Sequence, residues 1–189
     1  MLRPLAGACA LACLALSAYA QAPQRGVQRG VTLELGGGFD DTQFNSTGWP
    51  SYSGYYASVG VNVTSWLQVY ADGDEQFASV NGGNTRLFGD HLGGRFYYRP
   101  RNLMLDPFAE ALLGVSRLDL NLTPPGQKYS ENGFSFRTGG GLDFNIDRHW
   151  SVRAFEIDYY RTPFFQVHQN NMWFSAGVVF KFGEREYPN

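Results

Sequence analysis

Ser175-Ala176-Gly177-Val178-Val179-Phe180-Lys181-Phe182, close to the end of the chain, is the stretch whose reading decides the fold. Ala176, Val178, Phe180 and Phe182 fall on one face at period two, and Ser175, Gly177, Val179 and Lys181 fall on the other. One face is aliphatic and aromatic, the other small, polar or charged, and the run closes on aromatic rings. A strand of that kind suits a β-barrel set in a bilayer, with lipid on one side and a mixed interior on the other.

The same alternation recurs along the chain, and no segment sustains a helical period. It predicts eight strands, near Gly30–Phe39, Tyr52–Val63, Trp66–Phe77, Arg86–Tyr98, Asp106–Leu118, Gly133–Asn145, Trp150–Arg161 and the closing run. The apolar face of the second carries Tyr55, Ala57, Val59, Val61 and Val63; that of the fifth carries Ala109, Ala111, Leu113 and Val115, with Leu112 pointing inward. Polar loops are expected at Asp40–Pro50, Ser79–Asn84, Asn121–Asn132 and Thr162–Asn170. They alternate with tight turns at Thr64-Ser65, Arg99–Leu105 and Ile146–His149. Long connections at one end and short ones at the other are characteristic of outer-membrane barrels. Trp66, Tyr98, Phe144, Trp150 and Phe182 collect at the short-turn end, where an aromatic girdle belongs. The expected fold class is all-β, a single eight-stranded antiparallel up-and-down transmembrane β-barrel.

The N-terminus fits that location. Arg3, an apolar stretch from Leu5 to Leu16 and the site Ala18-Tyr19-Ala20 have the order of a secretory signal peptide, and the stretch is too short to span a bilayer as a helix. Cleavage after residue 20 removes Arg3, Cys9 and Cys13 and no acid. The remaining chain then holds no cysteine, and its formal charge moves from −2 to −3 with that one arginine. An exported chain without disulfides needs another source of stability, and a weakly acidic one is no ligand for nucleic acid. The organisation expected is a signal peptide over 1–20, a Pro/Arg/Gly lead-in over 21–29, a barrel over 30–182 and a short tail over 183–189.

Four stretches carry a resemblance. They are Gly93-Gly94-Arg95-Phe96-Tyr97-Tyr98-Arg99, Pro107-Phe108-Ala109-Glu110-Ala111-Leu112-Leu113-Gly114-Val115, Gly139-Gly140-Gly141-Leu142-Asp143 and Asp158-Tyr159-Tyr160-Arg161-Thr162. Through them the chain resembles the OmpA-like outer-membrane β-barrel family, over its second half by motif and over its first half by pattern. The resemblance implies a monomeric barrel in the cell outer membrane, in contact with lipid and lipopolysaccharide; the expected lack of a peptidoglycan-binding domain departs from the pattern, so no wall-anchoring role is implied. The resemblance also implies that Ser175, Gly177, Phe180 and Phe182 form the C-terminal signal read by the barrel-insertion machinery. The tail after Phe182 departs from the pattern, because family members often stop at the aromatic residue.

The inward positions hold Glu34, Arg95, Glu110, Arg137, Asp143, Glu156 and Asp158. An eight-stranded lumen is only wide enough to be filled by side chains, and unpaired charges buried there are costly. The expectation is therefore a plug of ion pairs built from Arg95, Glu110, Arg137, Asp143, Glu156 and Asp158. The function class that follows is structural or surface-interacting, with the external loops as contact surface and their ligand unnamed. A narrow solute channel and a lipid-A-directed enzyme are the alternatives. No catalytic, cofactor or metal site is expected. His91, His149 and His168 have no nucleophile beside them in sequence, and Asp72-Gly73-Asp74-Glu75 lacks the spacing of a calcium loop and is expected to cap strand three. A soluble lipophile-binding calyx would point its apolar face inward; the paired charges and glycines of the opposite face place that face inside instead.

Overall fold

A computed structural model describes residues 32–45, 50–80, 83–99, 104–122, 127–164 and 167–183. The expected signal peptide, lead-in and the tail beyond Gly183 lie outside the described residues. Eight antiparallel strands run in chain order: β1 (Leu33–Phe44), β2 (Tyr52–Asn62), β3 (Leu67–Val80), β4 (Gly83–Tyr97), β5 (Leu105–Leu122), β6 (Gln127–Asn145), β7 (Trp150–Phe164) and β8 (Val167–Phe182). Each pairs with its neighbour in sequence, and β1 pairs with β8 from Leu33↔Phe182 to Phe44↔Asn171, so the barrel is closed. Closure leaves no strand edge unpaired, which is the condition for a sheet to stand in lipid.

Side chains alternate between lumen and exterior along the strands, with one break in β7. Glu34, Arg95, Glu110, Arg137, Glu156 and Asp158 are buried, while Leu35, Phe39, Leu113, Phe134, Ile157 and Val178 are exposed. Exposed apolar residues of this number are ordinary on a lipid-facing surface and costly on a water-facing one. At the short-turn end, Trp66 stacks on Phe96 with centroids 6.0 Å apart, and Phe180 lies 4.7 Å from Trp150 and 4.6 Å from Phe182. Farther along the strands the outward face turns polar at Asp41, Glu75, Arg117, Arg161 and Asn170, which marks the other edge of the apolar band.

The strands do not stop at that edge. β5 and β6, with 18 and 19 residues, pair continuously from Leu105↔Phe144 to Leu122↔Gln127. Much of what reads as loop in the sequence is thus ladder: 40–44, 79–80, 83–84, 127–132 and 167–170 are all strand. These segments are polar on their outer face because they rise above the bilayer, not because they leave the sheet. Their inner face is mixed, with Asp40, Thr42 and Gln169 buried there, and an apolar cluster lies beside it. Tyr52, Tyr56, Leu87, Leu118, Leu120, Tyr160, Phe164 and Trp173 form a buried core in this distal part of the barrel.

A second departure lies in β7. Ser151 and Arg153 face inward, Ala154 and Phe155 are both exposed, and Glu156 and Asp158 face inward again. The register shifts between Arg153 and Glu156 against β8, and between Leu142 and Asp143 against β6. One extra residue in the bulge reverses the parity of everything before it.

Candidate functional site in the barrel lumen

The lumen holds two groups of charges. The one nearer the short turns is organised by two guanidinium groups. Arg95 donates from Nε to Glu110 Oε2 at 2.6 Å and from Nη2 to Glu156 Oε1 at 3.1 Å. Arg153 donates from Nε to Asp143 Oδ1 at 2.9 Å and from Nη1 to Glu156 Oε2 at 3.0 Å. Glu156 is therefore shared, one oxygen to each arginine. The Arg95 guanidinium also lies over Tyr70, 3.7 Å from its centroid, and over Phe108 at 4.2 Å. Planar forks that meet carboxylates on their edges and rings on their faces suit arginine rather than lysine. Closer still to the turns, Asn62 Nδ2 and Gln68 Nε2 donate to the two oxygens of Glu34 at 2.7 and 2.8 Å.

The second group surrounds Arg137. Its Nη2 bonds Asp72 Oδ2, and its Nε is 3.0 Å from Asp158 Oδ2. Asp74 Oδ1 lies 3.8 Å from Nη1, and the guanidinium rests over Trp173 at 3.8 Å. Trp173 Nε1 and Gln76 Nε2 in turn donate to Asp40 Oδ2 at 3.2 and 2.7 Å, which links this group to the distal apolar core. Glu110 Oε1, 3.9 Å from Arg137 Nη2, joins it to the first group.

Arg95, Glu110, Arg137, Asp143, Glu156 and Asp158 all stand in the lumen, and ion pairs bring all six together. Arg153 is missing from the sequence reading because strict alternation turns it outward; only the bulge brings it in. Asp72 and Asp74 do not cap β3. They are mid-strand, inward and buried, so that expectation is corrected. His91, which has no nucleophile beside it in sequence, has a hydroxyl beside it in space: it pairs across the ladder with Asp72, its Nδ1 is 3.3 Å from Asp72 Oδ1, and its Nε2 is 3.0 Å from Ser135 Oγ. Glycine makes that reach possible. A Cβ at Gly114, on the strand between His91 and Ser135, would stand 2.6 Å from the imidazole.

Ser135, His91 and Asp72 stand in the order of a hydrolytic triad. They lie on the inner face, with Ser135 and the His91 and Asp72 side chains wholly buried, whereas a lipid substrate meets the outer face. Of the C-terminal residues, Ser175 faces the lumen, 3.4 Å from Glu156 Oε2, and Phe182 stands in the aromatic girdle. Gly177 faces Gly38 on β1 across the closing seam.

No curated protein sequence matches the chain. Among solved structures, Neisserial surface protein A is similar at 14% identity with a TM-score of 0.63, over 80% of this chain and 97% of that one. Ail, the attachment invasion locus protein of Yersinia pestis, is similar at 12% identity and TM-score 0.58, over 80% and 99%. OprG of Pseudomonas aeruginosa is similar at 10% identity and TM-score 0.58, over 82% and 97%. Identities this low carry the fold alone. The family model for the outer membrane protein beta-barrel domain matches residues 6–182, nearly the whole chain. The chain belongs to the outer membrane protein beta-barrel domain family, and its place is the cell outer membrane.

Proposed function

We propose that this barrel acts as a closed structural and surface-interaction protein of the outer membrane, neither a pore nor an enzyme. The observation that carries this reading is the double obstruction of the lumen. The arginine–carboxylate groups fill its middle, and the apolar core around Trp173, Leu87 and Phe164 fills its distal part. An eight-stranded barrel has little room beyond its own side chains, and a charged plug with its partners in place does not part without breaking buried pairs. What remains for contact is the collar of strand above the bilayer edge, where Arg117 pairs with Asp119 at 2.9 Å and Arg86 with Glu75 at 3.7 Å. Connections raised on a rigid scaffold are where recognition concentrates.

The test is electrical. Purified barrel in planar bilayers is expected to give no sustained single-channel current, and barrel-loaded liposomes are expected to exclude small sugars as well as empty ones do. Discrete, reproducible openings in the wild-type protein would replace this reading with the narrow solute channel.

A further inference from the structure

The two lumen groups differ in charge, and the difference points to a ligand. Arg95 and Arg153 face Glu110, Glu156 and Asp143, so the first group falls short of neutrality by one. In the second, Arg137 alone faces Asp72, Asp74 and Asp158, a shortfall of two when all three carboxylates are ionised. Asp74 is the least satisfied member. Its side chain is wholly buried, neither of its oxygens accepts a hydrogen bond, and the nearest side-chain nitrogens, Arg137 Nη1 and His91 Nδ1, stand at 3.8 and 4.0 Å.

His91 adds a donor of another kind. Its Nε2 is engaged with Ser135 Oγ. Its Nδ1 points among carboxylates yet makes no hydrogen bond, although Asp72 Oδ1 is 3.3 Å away. Asp72, Asp74 and His91 each offer one atom, and these atoms lie within 4.8 Å of one another. With metal–ligand bonds of about 2.0–2.1 Å, ligand atoms around a tetrahedral ion are about 3.3 Å apart. The Nδ1 to Oδ1 spacing already has that value. An Nε2–H donated to a hydroxyl leaves the Nδ1 lone pair free to ligate, the usual outer-shell arrangement of a metal-bound histidine. Space is reserved too: a Cβ at Gly89 would come 2.5 Å from Asp74 Oδ1 and 2.8 Å from the imidazole.

The geometry points to a buried divalent-metal site in the lumen, with Asp74, Asp72 Oδ1 and His91 Nδ1 as ligands for a first-row transition ion such as zinc. Two carboxylates and an imidazole are borderline ligands that suit such ions. A double positive charge cancels the shortfall around Arg137. Asp72 then serves two cations, the metal through Oδ1 and Arg137 through Oδ2. Because the site is enclosed on both sides along the barrel axis, the ion enters as the barrel folds and acts as a staple between β3 and β4. The second carboxylate trio, Glu110, Glu156 and Asp158, is not such a site: each of its members already has an arginine.

The experiment is refolding from urea in detergent micelles with either zinc chloride or EDTA, gel filtration to remove loose ion, and metal analysis of the folded fraction. Wild type is expected to retain about one zinc per barrel, and its heat-induced shift on gels to rise by roughly 5–10 °C over the EDTA sample. Asp74→Asn and His91→Leu are expected to retain none and to show no zinc-dependent shift. In EDTA, Asp74→Asn is expected to resist heat at least as well as wild type, since it removes an uncompensated charge; a variant that only failed to fold would not. Wild type that retains no zinc, or Asp74→Asn that retains as much as wild type, overturns the site.

Discussion

The Arg95–Arg153 group and the Arg137 group occupy the same lumen and are built from the same residue types, yet they fail in different ways. In the first, every arginine and the central Glu156 have two partners, so the loss of one contact leaves another. In the second, a single guanidinium serves three aspartates on two sides of the barrel, and no second arginine or lysine among the described residues pairs with them. Redundancy, rather than the number of ion pairs, separates a robust buried network from a fragile one. The energetic rule behind this is asymmetric: a well-paired buried charge contributes little net stability, whereas an orphaned one is severely destabilising.

The largest effect is therefore expected from Arg137→Ala. It strands Asp72, Asp74 and Asp158 together and removes the cation over Trp173, and a loss of about 3–5 kcal/mol in unfolding free energy is the order for breaking a buried pair. Urea midpoints in detergent micelles measure it, with conductance expected to change far less than stability. Arg95→Ala is expected to cost less, about 1–3 kcal/mol, because Arg153 retains Glu156 and Arg137 stands 3.9 Å from Glu110. Equal midpoints for the two variants would break the distinction between the groups, and a larger loss for Arg95→Ala would invert it.

Much of this was legible in the sequence, and the exceptions have physical causes. Period-two alternation finds all eight strands and sorts Arg95, Glu110, Arg137, Asp143, Glu156 and Asp158 to the lumen, because a single closed sheet imposes one parity on each strand. Arg153 escaped because a bulge is invisible to a parity count: Ala154 and Phe155 read as an ordinary step. The strand extensions escaped for another reason. Above the bilayer a barrel strand is wet outside, so residues such as Lys128, Ser130 and Asn132 look like loop while their backbones pair with β5. The His91 cluster was hidden by topology. Asp72 and His91 are far apart in sequence and opposite in register, and Ser135 lies two strands further on. No local spacing signals such a set; only the sheet order assembles it.

The mildest discriminator lies outside the lumen, in the turn between β6 and β7. Asp147 Oδ1 accepts hydrogen bonds from the backbone N–H groups of His149 and Trp150, both at 2.7 Å, and these donors hold its carboxyl below the usual range. A carboxyl whose folded pKa lies below its unfolded value, about 3.9 for aspartate, stabilises the fold above that unfolded value. The contribution fades as pH falls through the folded pKa. Asp147→Ala is therefore expected to show a small loss of stability that is constant near neutrality and closes in acid below roughly pH 4. Unfolding midpoints of both proteins from neutral pH into acid measure the gap. One that stays open at the lowest pH would show that the turn is held without its charge. Because this carboxyl is open to water, its acid response supplies the baseline for the lumen variants. Both lumen variants keep Asp147 and every other exposed carboxyl, so an acid-dependent difference between Arg137→Ala and Arg95→Ala arises in the buried groups.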